Sequence, residues 1–167
     1  MSLPNPGPGL ANNDLIGLLK SVKCRGLASA GIVIGTSSAA QVKWGSSIVA
    51  SVNGKIVTVT TNEVAFTATT HDIAASASVV REAVYAVCVD DAGTVTLLKG
   101  EESSGAGTAL WPAAPTDKAV VGGVRVAVAA GSTPFDASTD LLSASHLTDT
   151  YYNVTCSPTD LGETLAA

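Results

Sequence analysis

Short apolar runs broken by turn residues recur along this chain, and the clearest lies at its centre. Val84-Tyr85-Ala86-Val87-Cys88-Val89 is apolar and partly β-branched, Asp90-Asp91-Ala92-Gly93 interrupts it, and Thr94-Val95-Thr96-Leu97-Leu98 follows. This is the signature of a β-hairpin. With Asp91-Ala92-Gly93 as the loop and Gly93 in the left-handed conformation at a bulge, Val89 faces Val95 and Val87 faces Leu97. A loop one residue longer would set Val89 against Thr94, so matching apolar with apolar selects the shorter loop. Downstream, Gly122-Gly123-Val124-Arg125-Val126-Ala127-Val128 alternates, with Val124, Val126 and Val128 on one side, and all three strands are expected in one core.

The second strong signal is Ser47-Ile48-Val49-Ala50-Ser51-Val52, Asn53-Gly54, Lys55-Ile56-Val57-Thr58-Val59-Thr60. Asn-Gly tolerates positive φ at both central positions of a two-residue turn, which sets Val52 opposite Lys55, Ala50 opposite Val57 and Ile48 opposite Val59. Gln41 to Trp44 reads as a short strand, and Leu27 to Ile34 as a buried strand ending at Gly35. In Glu63 to Thr69 the alternation points Val64, Phe66 and Ala68 inward. Ile73 to Val80 is a further strand or a loose connection. Gly100 to Gly107 is a flexible loop, Ala130 to Pro134 a turn, and Tyr151 to Thr155 the last strand. Strand-sized runs without a long helical period predict an all-β fold, a single antiparallel β-sandwich or jelly-roll-like domain.

The ends differ from this core. Pro4, Pro6 and Pro8 remove backbone donors, so residues 1–13 are expected to form an extended Pro/Gly-rich arm. Asn12-Asn13-Asp14 offers N-caps for a short helix near 14–20, in which Leu15, Leu18 and Leu19 share a face and Gly17 opposes the helix. The sandwich then occupies 14–156 with that helix included, and 157–167 is a polar C-terminal tail.

Composition narrows the function classes. At 167 residues the chain suits one domain, burying roughly 70% of its unfolded surface. The formal charge of −5 and pI near 4.8 give the electrostatic term for nucleic-acid binding the wrong sign. Lys20, Lys23 and Arg25 are too few to reverse that. Only 14% of residues are charged and 46% are apolar, against about 25% charged in an average domain, so neighbouring protein is expected to cover part of the surface. No membrane partner is expected, because the longest weakly polar run, Gly26 to Gly35, falls short of a span. The first residues lack the pattern of a secretion signal, which suggests synthesis in a cytoplasm. Cys24, Cys88 and Cys156 have no metal-ligand spacing and read as free thiols, Cys88 as a small buried hydrophobe.

Gly100 to Gly105 has phosphate-loop glycine spacing, but Ala106 stands where the lysine belongs and Glu101 and Glu102 would repel phosphate. Gly35-Thr36-Ser37-Ser38-Ala39 is half a nucleophile elbow without its strand-turn-helix context. Asp91-Ala92-Gly93 matches an aspartic-protease triplet, yet sits where the hairpin needs its turn. His71 and His146 have no partner at a telling spacing and read as surface or hydrogen-bonded residues. Asp136-Ala137-Ser138-Thr139-Asp140 holds oxygens suited to calcium, but turns use the same residues. Asn153-Val154-Thr155 fits the glycosylation pattern and carries no weight without a secretion signal. No catalytic, cofactor or metal residue is assigned. Trp44, Trp111, Tyr151 and Tyr152 are the candidate interface aromatics, suited to core packing, a subunit surface or a sugar.

From Tyr85 the order of elements becomes familiar. The Asp91-Ala92-Gly93 hairpin is followed by Leu110-Trp111-Pro112-Ala113-Ala114-Pro115-Thr116-Asp117-Lys118-Ala119, by Val121 to Val126, by Pro134-Phe135-Asp136 and by Tyr151-Tyr152-Asn153-Val154. This resembles a module of tailed-bacteriophage virion structural proteins, of the capsid decoration (cement) and head-fibre kind. It covers less than half the chain, through compositional motifs. The resemblance implies a β-rich, often trimeric protein on the outside of the major capsid lattice, held there by an N-terminal arm. Leu3, Pro4, Asn5, Pro6, Pro8, Leu15, Leu18 and Leu19 are then the expected contacts with the major capsid protein. A phage tail or fibre component, or a glycan-binding β module using Trp44 and Trp111, is the alternative.

Overall fold

The computed structural model describes residues 24–36, 40–60 and 62–154. The arm, the helix near 14–20 and the tail, with Leu3, Pro4, Asn5, Pro6, Pro8, Leu15, Leu18 and Leu19, lie outside them. The described residues are all-β, with every strand pairing antiparallel and no helix.

Three sheets form. β1 (Cys24–Gly26), β4 (Ile48–Val52) and β5 (Lys55–Val59) make one in the order β1-β4-β5, and β2 (Ile32–Ile34), β3 (Gln41–Trp44) and β6 (Glu63–Ala65) make another in the order β2-β3-β6. The largest has five strands: β11 (Leu147–Asn153), β10 (Ala119–Val128), β7 (Arg81–Val89) and β8 (Val95–Lys99) in that order, with β9 (Ser103–Ser104) also pairing β7. One hydrophobic core joins all three, holding Ile32 and Trp44, Ile48 and Val52, and Tyr85, Val87, Val124 and Val126 together. β7 and β10 sit at the centre of the large sheet, and their burial on both faces accounts for their near-continuous apolar sequence.

Both hairpins adopt the registers expected from their turns. Val89 pairs with Val95 and Val87 with Leu97, while Val52 pairs with Lys55 and Ile48 with Val59. Asn53 and Gly54 have φ of 52° and 79°, and Gly93 has φ of 85°. The Asp90 carboxylate accepts from the Ala92 and Thr94 N–H groups at 3.0 and 2.8 Å, so the acidic turn is a backbone device.

Three expectations are corrected. Leu27 to Ile34 is not one strand: the chain breaks between β1 and β2, Gly31 turns at φ 63°, and Leu27 is exposed. Ala68 does not point inward, because strand pairing ends at Ala65 and a turn through Thr69 at φ 64° leaves Ala68 in solvent. Residues 100–107 are tied down, since β9 pairs with Arg81 and Glu82 while Glu102 bridges Arg81 at 3.0 Å and Lys99 at 2.8 Å. Ile73 to Val80 is a connection, pinned at one end by the Ile73–Phe135 bridge.

Candidate functional site

The face of the five-stranded sheet turned away from the main core carries the most developed surface feature. Alternation along β7 sends Tyr85, Val87 and Val89 to the core and Glu82, Val84, Ala86 and Cys88 to the other side. A strap running from Gly100 to Pro115 covers that side. The Gly100 N–H bonds to the Val84 carbonyl at 2.7 Å, and a Cβ on Gly100 would sit 2.5 Å from the Leu110 carbonyl oxygen. Glycine therefore lets the two ends of the strap meet.

A buried carboxylate fixes the middle of the strap. Glu82 is fully buried, and its Oε1 accepts from the backbone N–H groups of Thr108 and Ala109 at 2.5 and 2.7 Å. Its Oε2 lies 3.9 Å from Arg125 Nε on the neighbouring strand. A carboxylate away from water is tolerated when donors and an opposite charge surround it, and here they come from the strap and β10.

Beyond Ala109 the strap lays Trp111 into a trough. Leu98, Ala86, Gly123 and Tyr152 are successive cross-strand neighbours on β8, β7, β10 and β11. The two central positions are small, so the row is high at its ends and low in the middle. The Trp111 ring fills the space over Gly123 and meets Tyr152 edge-on, with centroids 5.5 Å apart. The register of β10 shifts between Val120 and Gly122, which turns Val120 to this face beside Ala86 and Cys88 under Trp111. Burial pushes the Cys88 thiol up to about 12, making it an inert apolar group.

An open cavity of about 380 Å³ remains beside the ring, lined by Leu98, Lys99, Glu101, Leu110, Trp111 and Pro112. Leu110 is 63% exposed and Leu98 38%. Lys99 at the rim is engaged with Glu102 and the Asp72 carbonyl. Burial alone would raise the Glu102 carboxyl, but hydrogen bonds from Lys99 and Arg81 outweigh it and hold its pKa below the usual range. The cavity thus presents apolar and aromatic surface beside the Arg81–Glu102–Lys99 charge network, a lining suited to binding.

Of the four aromatics singled out in the sequence, the structure joins Trp111 and Tyr152. Trp44 takes the core-packing role among those open to it: it is 3% exposed and its indole N–H bonds to the Thr60 carbonyl at 2.7 Å. Tyr151 is half-buried against the main core, facing away from Tyr152 as neighbours on a strand must. Sequence reasoning missed Glu82, Leu98, Leu110 and Gly123. The run Leu110-Trp111-Pro112 between a Gly/Ser-rich segment and further prolines was the available signal, since it is apolar where no strand or helix accounts for it.

The remaining candidates are used by the fold. His71 is buried against Phe66 and Tyr85, and its Nδ1 accepts from the Thr67 N–H at 2.7 Å. Tyr85 donates its hydroxyl to the His71 carbonyl. Asp136 accepts from the Ser138 N–H at 2.8 Å and Asp140 from the Asp136 N–H at 2.8 Å, while His146 lies 3.6 Å from Asp140. Among the described residues no group of three or more His, Cys, Asp or Glu is placed to hold a metal ion, and no helix is long and apolar enough to cross a membrane. No known protein family, no curated protein and no solved structure matches this chain.

Proposed function

We propose that this chain is a non-enzymatic virion structural protein, a capsid decoration or cement protein that binds the major capsid lattice from outside and stabilises it. The observation that carries the reading is an apolar exterior on a weakly charged domain. Leu110 and Ile56 are 63% and 60% exposed, with Leu141, Val33 and Val79 near 40%, in a chain of which 14% is charged. Apolar groups left in water favour burial against neighbouring protein. The sequence resemblance supplies the kind of neighbour: identical copies, with a trimer favoured, and the major capsid protein.

In this reading the arm and the Leu15 to Leu19 segment contact the lattice. The fold is a β-sandwich or jelly roll, the five-stranded sheet forming one layer and the two three-stranded sheets the other. Synthesis is in the host cytoplasm and the working location is the capsid surface, without a nucleic-acid or membrane partner. Sedimentation of the purified protein alone and with capsid shells tests this. Saturable binding by an oligomer is expected, lost on deletion of Met1 to Gly9 with the fold left intact. A truncated protein that still saturates the shells removes the arm from the reading, and a monomer that binds no particle overturns it.

The Trp111 cavity favours a second reading, a fibre or glycan-binding module, because a half-buried indole at the wall of an open cavity with polar rim groups suits a sugar ring. Glycan-array binding abolished by Trp111→Ala, with no affinity for shells, would select it.

A further inference from the structure

We infer that in the free chain the Trp111 cavity is the seat of the chain's own Pro-rich segment, Leu3 to Gly9, docked within the same molecule. The cavity matches such an occupant in chemistry. Proline-rich segments favour the polyproline II conformation, whose rings lie against aromatic side chains and whose carbonyls accept from indole N–H groups. Leu98, Leu110, Trp111 and Pro112 give the apolar wall, and the Trp111 N–H, unlike that of Trp44, has no acceptor among the described residues. Leu3-Pro4-Asn5-Pro6-Gly7-Pro8-Gly9 has no charged side chain, matching a cavity whose one cation is already paired with Glu102.

Chain connectivity places this segment near the cavity. Residues 1–23 precede Cys24, and Cys24 Sγ lies 3.6 Å from the Thr116 carbonyl oxygen, on the stretch that continues from the strap. From Thr116 to Ala113, at the cavity rim, is roughly 10 Å of extended chain, whereas Pro8 to Cys24 reaches on the order of 50 Å. A tether of that length holds the segment at an effective concentration around millimolar, so a weak site is filled by its own arm before that of another molecule. The inference concerns the free protein and stands whether or not the arm later meets a lattice.

The test uses the full-length chain carrying a photo-crosslinking phenylalanine analogue in place of Leu3, irradiated at low micromolar concentration and mapped by mass spectrometry. Crosslinks to 98–113 on a band of single-chain mass are expected. They should fall at least several-fold when Pro4, Pro6 and Pro8, which lie outside the described residues, are all changed to Ser, and by about half when the free Leu3–Gly9 peptide is added at a millimolar concentration equal to that of the tethered arm. Crosslinks to 98–113 at two-chain mass would overturn the intramolecular assignment, and crosslinks elsewhere, or none, would overturn the site. None of these outcomes bears on shell binding, which sedimentation reads separately.

Discussion

Gly123 and Trp111 form one fitted unit: a Cβ at position 123 would lie 2.7 Å from the outer carbons of the Trp111 ring. It would also lie 2.5 Å from the Tyr85 carbonyl oxygen, so the position is closed from the strap and from the adjacent strand. Gly123→Ala is expected to destabilise the fold by about 1–3 kcal/mol through overpacking. Trp111 should move outward, shifting its emission to longer wavelength. In the Trp111→Ala background the cost should shrink without vanishing, because the Tyr85 contact persists, and a double-mutant cycle by thermal unfolding measures the difference. Full additivity would show that ring and glycine do not interact.

Glu82 is the anchor of the strap. Glu82→Gln keeps the shape but exchanges charge-assisted hydrogen bonds to Thr108 and Ala109 for neutral ones and leaves Arg125 without its counter-charge. A loss of about 1.5–3 kcal/mol is expected. Hydrogen exchange should accelerate at the Thr108 and Ala109 amides more than at the β10 amides of the main core. Uniform acceleration would show that the strap has no stability separate from the sheet.

The Asn53-Gly54 turn separates conformational from steric cost. Gly54 has φ of 79°, and a Cβ there would meet nothing within 4 Å. Gly54→Ala should therefore cost about 1–2 kcal/mol from the left-handed backbone alone. Denaturant unfolding gives the value, and an unchanged midpoint would contradict the turn geometry.

His71 makes stability depend on pH. Its burial holds the folded-state pKa below 6.5, so the unfolded chain takes up a proton first as pH falls. Its effect is absent above 6.5 and grows as a destabilisation below that value, levelling once pH passes the folded pKa. His71→Gln should flatten this part of the stability profile measured between pH 7.5 and 5. An equally steep profile in the variant would place the dependence elsewhere.

Thiol reactivity should follow burial. In a Cys156→Ser chain at pH 8, a disulfide reagent should modify the half-buried Cys24 and leave Cys88 untouched until denaturant is added, because burial raises the Cys88 thiol to about 12. Rapid modification of both thiols in the native state would show that the strap opens readily.

The all-β class and both hairpin registers were legible from residue order, since alternation assigns side chains to faces and Asn53-Gly54 or Asp90 to Gly93 sets a turn within a few residues. The same local logic failed where distant segments decide. Extending the alternation of Val124 and Val126 back along β10 would put Val120 in the main core, but the shift before Gly122 turns it to the opposite face. Trp44 ends a short strand and Trp111 lies among prolines, but only the packing of distant segments makes one close the core and the other line a cavity. Glu82 is set apart only by the strap, which returns to cover it with two N–H groups.

Sequence by itself therefore determined the all-β class, the registers of the two hairpins and their tight turns, because each rests on interactions between residues close along the chain. Tertiary structure alone decided which strands share a sheet, where β10 changes register and how the strap closes over Ala86 and Gly123. Those outcomes depend on how apolar area is buried among segments far apart in the chain, and a local pattern does not encode that competition.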